Sequence, residues 1–353
     1  MHPPIGWQFF RHGNLITPSS QFFCYFCLPI IILLYMEKKD LKIVFLGTPD
    51  FAVESLKRLH EGGYNIVGVV TMPDKPAGRG HKLLHSPVKQ YAEVNGLRLM
   101  QPVKLKDPEF VDELRSLDAN LFIVIAFRML PEVVWSMPSL GTFNLHASLL
   151  PKYRGAAPIN WAVINGETET GVTTFFLKHD IDTGDIIRQE RVEILPTDNV
   201  GDVHDKLMKL GADLTIDTVE HILAGDLQPI PQDSLETADN TTPAPKIFKD
   251  TCHIDWAKRA LDVHNLVRGL SPYPAAWIEI GNGDTSHQIK IFSTAISDVH
   301  DTFPGTIKHQ DGHLYIAASD RWVEVIELQL AGKRRMTAAE FLRGFNTEGY
   351  TAH

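Results

Sequence analysis

Short apolar runs alternate with helical patterns along the first two thirds of the chain. Buried strands are predicted where apolar runs end in turn residues, at 41–46, 65–71, 120–126, 142–146 and 172–177. Between them, apolar residues recur at helical spacing at 51–60, 107–117 and 158–164. Buried strands that alternate with helices are typical of a parallel, doubly wound sheet, so we predict a Rossmann-like α/β domain.

The pattern changes after residue 200. A long amphipathic stretch predicts a helix at 200–224 with Gly225 as its C-terminal cap. A segment rich in Pro, Thr, Asp and Gln then predicts an interdomain linker at 228–246. A helix around 257–269 precedes β-rich runs at 275–280, 289–296, 305–308, 313–318 and 322–330. We therefore expect an α/β domain at 36–227 and a small, open, OB-like β-barrel domain at 247–353.

The first 35 residues depart from this pattern. Residues 22–35 are wholly apolar, but these 14 residues fall short of the roughly 18 to 20 that span a bilayer, and Pro29 interrupts them. A polar start at Met36 leads into the first predicted strand. We predict that Met36 is the initiator and that residues 1–35 are upstream sequence, with a membrane anchor as the alternative. Cys24 and Cys27 form a CxxC without a second ligand pair, which argues against zinc or redox chemistry.

Composition and charge narrow the class of protein. The 353 residues have room for two domains, and 44% hydrophobic with 22% charged residues is ordinary for a globular chain. The formal net charge is -9, from 34 Lys and Arg against 43 Asp and Glu, so no global positive field attracts nucleic acid. A polyanionic partner would need a local basic patch. Three cysteines are too few for a disulfide framework, which favours a reducing, cytoplasmic compartment.

The segment richest in candidate chemistry is FNLHASLLPKYRGAAPI at 143–159. Asn144 and His146 alternate within a predicted strand, so both side chains face one side of the sheet near its carboxyl end, where open α/β sheets bind ligands. Together they can donate hydrogen bonds to an oxygen that becomes negative during acyl transfer. The sequence has no G-x-S-x-G nucleophile elbow. We therefore predict direct transfer between two bound substrates.

An acidic segment, HDIDTGD, follows at 179–185. It fails as a calcium loop because Gly is missing at the sixth position and Glu at the twelfth, and it lacks a spaced partner set for other metals. We therefore predict no metal site. One of its carboxylates is expected beside His146, where it would favour the charged imidazolium and relay a proton through water. The pattern alone does not choose among Asp180, Asp182 and Asp185.

A basic segment follows the second predicted strand. Residues 75–92 contain four Lys or Arg residues and two His but no Asp or Glu. Proline and glycine residues between 76 and 80 predict a mobile loop rather than a helix, on the ligand-binding edge of the sheet. In an acidic protein such a loop favours contact with a phosphate backbone. Lys333 and the two arginines after it are a second candidate for such contacts.

Several motifs in order along the chain together resemble the methionyl-tRNA formyltransferases. They are KIVFLGTPDFAVESL at the first strand, PDKPAGRG at 73–80, FNLHASLLPKYRGAAPI at 143–159, the DTGD turn, VRGLSPYPAAW at 267–277 and LQLAGKRRMTAAEFLRG at 328–344. The likeness covers the chain from Met36 onward. It implies a Rossmann-like formyltransferase domain joined to an OB-like barrel that binds tRNA.

The resemblance also implies a reaction and its residues. A formyl group would pass from 10-formyltetrahydrofolate to the amino group of initiator methionyl-tRNA, without a metal. The family's catalytic residues fall on Asn144, His146 and Asp182. Its folate-binding turn falls on four consecutive residues, namely Ser148, Leu149, Leu150 and Pro151.

The family's tRNA-recognising inserted loop falls on residues 73–82. Arg79 takes the place of the arginine that reaches the acceptor end, and Lys75 and Lys82 lie in the same loop. Lys333 in the predicted barrel is a further tRNA-binding candidate. We expect the enzyme to be a monomer.

One segment departs from the family pattern. Where the family has A-Y-G after the fourth strand, this chain has AFRMLP at 126–131, which puts Arg128 near the expected folate pocket. Two interpretations stay open, that Arg128 contacts the donor or that it points to solvent.

Two other functions compete with this reading. A glycinamide ribonucleotide or sugar-nucleotide formyltransferase would share the fold and the donor, but a small acceptor needs neither the basic loop nor the barrel. An RNA-binding protein with an inactive catalytic domain is the second rival. The presence of all three polar positions, Asn144, His146 and Asp182, argues against it.

Overall fold

The computed structural model describes residues 36–77, 82–235, 241–283 and 285–353. The predictions for residues 1–35 and for Arg79 lie outside the described residues. No helix within the described ranges is long and apolar enough to cross a membrane.

Strands and helices alternate from residue 43 to residue 224. The strands are β1 (Ile43–Gly47), β2 (Ile66–Val70), β3 (Lys75–Ala77), β4 (Lys82–Leu84), β5 (Leu99–Met100), β6 (Leu121–Ile125), β7 (Thr142–His146), β8 (Glu169–Phe176) and β9 (Ile186–Glu193). The helices are α1 (Asp50–Glu61), α2 (Pro87–Val94), α3 (Pro108–Ser116), α4 (Glu132–Trp135), α5 (Pro158–Ile164) and α6 (Val200–Ala224). As predicted, α6 ends at Gly225, whose φ of 67° is the left-handed conformation that glycine adopts readily.

The central sheet has the strand order β5-β2-β1-β6-β7-β8-β9. Strands β5, β2, β1, β6 and β7 run parallel, which confirms the predicted α/β class. The run at 172–177, predicted as a further parallel strand, lies in β8, which pairs antiparallel with both β7 and β9. An apolar run predicts a buried strand but not its direction, because the direction depends on the connection that precedes it.

Helices cover both faces of this sheet. Ile43 and Phe45 of β1 pack in one hydrophobic cluster with residues of α1 and α6. Val44 and Leu46 of the same strand pack in another cluster with residues of α3 and α4. Successive strand residues point to opposite faces, so this split places the sheet between two helical layers. The carboxyl ends of the parallel strands are thereby left as the edge where polar side chains collect.

The C-terminal part is an antiparallel sheet with two helices. Its strands are β10 (Ala276–Gly281), β11 (Ser286–Val299), β12 (Ile307–Gln310), β13 (His313–Ala317), β14 (Arg321–Leu330), β15 (Met336–Thr337) and β16 (Thr351–Ala352), and its helices are α7 (Ala260–Leu270) and α8 (Ala338–Leu342). The strand order is β12-β13-β14-β11-β10-β16, with β15 paired to β14. Alternate apolar residues such as Ile278, Ile280 and Ile289 form its core. The predicted small open barrel is confirmed as an antiparallel half-barrel.

Helices α5 and α7 form the junction between the two parts. The Asn160 side-chain amide donates to the Gly269 carbonyl at 2.8 Å. The Arg268 guanidinium donates to the carbonyl of Asp198 at 2.8 Å, in the turn before α6. Burial lowers the pKa of Arg268. Because these donors bond to backbone carbonyls on the opposite part, they hold the two parts in one arrangement.

The segment predicted as a mobile basic loop is ordered differently. Strands β3 and β4 pair antiparallel, and we call this pair the basic hairpin. Helix α2 then begins at Pro87, capped by the Ser86 hydroxyl, which accepts from the Lys89 backbone N–H at 3.0 Å. The expectation of a loop through residue 92 was therefore wrong. A Ser-Pro pair is a helix-start signal that the count of basic residues obscured.

Candidate active site

Asn144 and His146 lie on β7, between parallel β6 and antiparallel β8. Asn144 is opposite Val124 on one side and Phe175 on the other, and His146 is opposite Thr173. Their spacing of two places both side chains on one face of the sheet, as predicted. Among the described residues, none forms a hydrogen bond with the Asn144 side-chain amide, which is partly exposed. The amide is therefore available to a bound substrate.

His146 is buried, with a hydrogen bond at one ring nitrogen and a carboxylate near the other. Its Nε2 lies 2.9 Å from the Tyr153 carbonyl oxygen, and its Nδ1 lies 3.9 Å from Asp182 Oδ2. A carbonyl oxygen only accepts hydrogen bonds, so Nε2 carries a proton in this arrangement. Nδ1 is consequently the ring nitrogen left for a substrate, and it faces Asp182.

Asp182 is the carboxylate that the structure places beside His146. It lies in the turn between β8 and β9, with a left-handed φ of 56°. Its Oδ2 accepts from the Gly155 backbone N–H at 3.0 Å. The other two candidates lie elsewhere, because Asp185 pairs with Lys178 at 2.7 Å and Asp180 is exposed. The structure therefore brings together Asn144, His146 and Asp182, and not Asp180 or Asp185.

Tyr153 is a residue that the residue pattern did not single out. Besides accepting from His146, it is buried, and its hydroxyl donates to Glu167 Oε1 at 2.6 Å. Asn165 donates to the same hydroxyl at 3.1 Å. Burial, and next the bond to Glu167, raise the pKa of Tyr153 well above its usual range, so the hydroxyl stays a donor. The ring is anchored at its far end while the backbone carbonyl orients the imidazole.

The predicted folate-binding turn follows β7 directly. The Ser148 hydroxyl donates to the Lys152 carbonyl at 2.7 Å and is fully buried, so it closes the turn. Thr173 donates to the Ser148 carbonyl at 2.6 Å. Leu150 and Pro151 are also buried, whereas Leu149 is partly exposed. Of these four described residues, Leu149 thus has the side chain most available to a ligand.

Arg128 is partly exposed, and its guanidinium bonds to neighbouring backbone carbonyls rather than to His146 or Asp182. Its guanidinium donates to the Val103 carbonyl at 2.9 Å and to the Pro102 carbonyl. It also lies against the Phe127 ring, with 5.7 Å between the guanidinium carbon and the ring centroid. Burial lowers the pKa of Arg128. Arg128 therefore ties the loop after β6 to the segment after β5.

The basic hairpin carries the described part of the tRNA-binding candidates. Lys75 is exposed and pairs across the hairpin with Leu84, while Lys82 pairs with Ala77. Arg79, between the strands, lies outside the described residues. Lys333 is exposed in the turn before β15. Lys333 connects two strands of the antiparallel sheet, whereas the hairpin forms a separate two-stranded sheet.

The positive charge of the basic segment is partly neutralised at the base of the hairpin. Lys89 is buried and its Nζ lies 2.5 Å from Asp74 Oδ2. Gln101 donates to Asp74 Oδ1 at 3.0 Å, and His85 lies 3.0 Å from Oδ2. The hydrogen bonds from Lys89 and Gln101, and next the proximity of His85, hold the pKa of Asp74 far below its usual range. Lys89 is thus an internal ion-pair partner and not a surface cation. The count of charges over residues 75–92 missed this pairing because Asp74 lies one residue before that range.

No metal centre emerges from the titratable residues. Within the described ranges, no group of three or more His, Cys, Asp or Glu side chains could hold a metal ion. The arrangement of Asn144, His146 and Asp182 can instead donate hydrogen bonds to a developing oxyanion and accept a proton.

Family models match most of the chain. The model described as formyl transferase matches residues 41–219, and the model described as formyl transferase, C-terminal domain, matches residues 246–346. The first match contains the Asn144, His146 and Asp182 positions, and the second contains strands β10 to β15 of the antiparallel half-barrel.

Three relatives with high identity carry the same name. Methionyl-tRNA formyltransferase of Bacteroides fragilis is 60% identical over 320 residues, which cover 89% of this chain and 98% of the relative. The protein of that name from Phocaeicola vulgatus is 62% identical over 317 residues, 88% of this chain and 98% of the relative. The one from Flavobacterium johnsoniae is 49% identical over 310 residues, which cover 88% of this chain and 97% of the relative.

Solved structures share the fold at low identity. An N-formyltransferase from Helicobacter canadensis, in complex with folinic acid and dTDP-3-aminofucose, superposes with a TM-score of 0.59 at 19% identity, over 84% of this chain and 100% of that chain. HypX from Aquifex aeolicus, in complex with tetrahydrofolic acid, gives a TM-score of 0.59 at 18% identity, over 87% of this chain and 47% of that chain. At these identities the likeness establishes the fold alone.

Proposed function

The chain belongs to the methionyl-tRNA formyltransferase family, and we propose that it transfers the formyl group of 10-formyltetrahydrofolate to the free amino group of initiator methionyl-tRNA. The product is N-formylmethionyl-tRNA, which serves translation initiation. The observation that carries the proposal is the pairing of His146 with Asp182 beside the free amide of Asn144, in a chain 60% identical to a relative of that name.

The chemistry begins with attack of the neutral methionyl amine on the formyl carbon. Asn144 Nδ2 and the protonated Nδ1 of His146 donate hydrogen bonds to the formyl oxygen as it becomes negative. Nε2 is occupied by the Tyr153 carbonyl, which leaves Nδ1 as the donor. Asp182 stabilises the imidazolium and accepts, through water, the proton that the amine loses. The carbon–nitrogen bond to the donor then breaks, and the donor nitrogen takes, through water, the proton that Asp182 accepted, which restores the carboxylate.

Binding of the two substrates supplies the rest of the acceleration, because both reacting groups are held side by side. The folate donor contacts the turn formed by Ser148, Leu149, Leu150 and Pro151. The tRNA is bound by Lys75 and Lys82 of the basic hairpin and by Arg79, which lies between them in the sequence, with Lys333 of the half-barrel as a further phosphate contact. The exposure of Lys75 and Lys333 supports this assignment.

The same proposal includes organisation and location. The α/β domain extends over 36–227, the linker over 228–246 and the tRNA-binding domain over 247–353, and the enzyme acts as a monomer in the cytoplasm. Light scattering coupled to gel filtration tests the monomer. A mass near 39.6 kDa or less supports it, and a doubled mass contradicts it.

A direct assay tests the function. The protein is mixed with 10-formyltetrahydrofolate and either charged initiator tRNA or a dTDP-amino sugar, and release of tetrahydrofolate is followed. We expect release with the charged tRNA and none with the amino sugar. Release with the sugar alone would instead establish a sugar-nucleotide formyltransferase, and no release with either acceptor would contradict the proposal.

A further inference from the structure

The segment predicted as a linker, 228–246, carries a buried polar side chain. Gln232 begins a short 3-10 helix, Gln232–Ser234, and is 1% exposed, whereas Asp233 and Ser234 next to it are exposed. A buried amide is stable only when its donors and acceptor have partners. The partners of Gln232 therefore indicate its role.

The hydrogen bonds of the Gln232 amide join the Asp182 turn to Arg154. Its Nε2 donates to the Asp182 carbonyl at 2.9 Å and to the Gly184 carbonyl at 2.7 Å. Its Oε1 accepts from Arg154 Nη2 at 2.7 Å and from Arg154 Nε at 3.1 Å. Carbonyls only accept and guanidinium groups only donate, so this chemistry fixes which end of the amide faces which partner.

The Asp182 turn is a place where such support matters. Asp182 has a φ of 56°, a conformation that costs free energy for any residue other than glycine. Its carbonyl is held from two sides, by Gln232 and by Arg154 Nε at 3.1 Å. If these donors are lost, the turn can relax to a less strained backbone. The carboxylate would then leave its position 3.9 Å from His146 Nδ1.

The backbone of the same segment supports the other side of the site. The Tyr153 N–H donates to the Thr242 carbonyl at 2.6 Å, and the Ala244 N–H donates to the Arg154 carbonyl at 2.8 Å. Gly155 has a φ of 126°, and a Cβ there would lie 2.5 Å from the Ala244 carbonyl oxygen. The strand-like contact between Gly155 and Ala244 thus requires glycine. Tyr153 and Gly155 are the residues whose backbone holds His146 and Asp182.

We propose that Gln232 is a positioning residue for formyl transfer, which holds the Asp182 turn so that the carboxylate keeps its place beside His146. The described parts of this segment, around Gln232 and Ala244, accordingly support the active site and do not only connect two domains. The inference rests on the proposed function, because Gln232 acts through the role assigned to Asp182.

Two substitutions at Gln232 test the proposal. Gln232→Leu keeps the size of the side chain and removes every hydrogen bond, and Gln232→Glu keeps an acceptor for Arg154 but removes both donors to the turn. We expect kcat to fall about 10- to 100-fold in each, because small displacements of catalytic groups cost this much. KM for methionyl-tRNA and for the formyl donor should stay within about twofold, since Gln232 is buried away from bound substrate. Asp233→Ala, an exposed change in the same 3-10 helix, is the matched control and should retain wild-type kcat.

A double-mutant cycle distinguishes positioning from a general structural effect. If Gln232 acts through Asp182, adding Gln232→Leu to Asp182→Asn lowers kcat by less than about twofold more, because coupled residues are not additive. A variant that only lowers stability would multiply the two defects. Melting temperatures and circular dichroism show whether each variant is folded at the assay temperature. If Gln232→Leu is not folded, Gln232→Glu takes its place in the cycle.

The outcomes separate this inference from the proposed function. Wild-type kcat in a folded Gln232→Glu variant, or multiplied defects in the cycle, would overturn the role of Gln232 while the function stands. Wild-type kcat in Asp182→Asn would instead overturn the catalytic assignment of Asp182 and the inference together.

Discussion

The His146–Asp182 pair and the basic hairpin represent two ways of using the same edge of a sheet. Around the pair, the polar groups are buried and bonded to backbone from β7, the following turn and the segment at 228–246. In the hairpin, Leu83 and Leu84 are 58% and 64% exposed and Lys75 points its charge outward. A site that stabilises a transition state needs fixed groups, whereas a surface that holds a large polyanion needs accessible ones.

The largest expected effect is on the buried pair. His146→Ala should lower kcat about 100- to 1000-fold, since it removes one preorganised donor to the oxyanion. Steady-state formylation with both substrates saturating measures it. His179→Ala is a matched control, because His179 is 73% exposed and lies close in sequence to the Asp182 turn. Near-normal turnover in His146→Ala would contradict the catalytic role of His146.

The next effect is expected in the hairpin. Arg79→Ala should lower kcat/KM for methionyl-tRNA about tenfold, the value of one charge-assisted hydrogen bond, without changing KM for the formyl donor. Lys209→Ala, an exposed lysine of α6, is the control. A matching loss of affinity for the folate donor would show that the hairpin supports the folate pocket and does not bind tRNA.

The salt dependence of tRNA binding tests the same contrast between the buried His146–Asp182 pair and the exposed basic hairpin. An acidic protein that contacts few phosphates should show a shallow slope of log affinity against log salt, and Arg79→Ala should reduce the slope by about 1. Filter binding or anisotropy over a salt series measures it. A steep slope would mean that the basic surface extends beyond the hairpin and Lys333.

The smallest effect is expected on the stability of the folded state, at Asp74 beside the basic hairpin, and it depends on pH. The lowered pKa of Asp74 stabilises the folded state above the ordinary aspartate pKa of about 4, and this contribution disappears as pH falls toward the lowered value. Asp74→Asn should therefore be less stable than wild type at pH 7, and the difference should shrink by pH 3. Urea unfolding at both pH values measures it, with Asp301→Asn as an exposed control. A difference that grows on acidification would contradict the ion pair with Lys89.

The features that the sequence predicts are those whose signals are local along the chain. The alternation of Asn144 and His146 predicts their common face, and the α/β class follows from the alternation of strands and helices. The choice of Asp182 came from resemblance alone, since spacing does not encode a left-handed φ or the donor Gly155. Tyr153 was missed because it acts on His146 through its backbone carbonyl, which any residue possesses.

Other contacts cannot be predicted from composition. Polar residues at 228–246 predict a linker, yet composition does not reveal that Gln232 is buried and hydrogen-bonded to the Asp182 turn. Counting basic residues from 75 onward likewise included Lys89, whose charge is satisfied by Asp74. In both cases the three-dimensional partner, and not the residue type, determines the role. Arg128 shows the same, because its partners are backbone carbonyls of Pro102 and Val103.

One measurement tests directly whether chemistry and tRNA binding are divided between these two regions. Single-turnover formylation is followed in wild type, His146→Ala and Arg79→Ala over a range of methionyl-tRNA concentrations. We expect Arg79→Ala to approach the wild-type rate when tRNA saturates, and His146→Ala to remain about 100-fold slower at every concentration. Recovery of His146→Ala at high tRNA, or an equal defect in Arg79→Ala at saturation, would contradict the division.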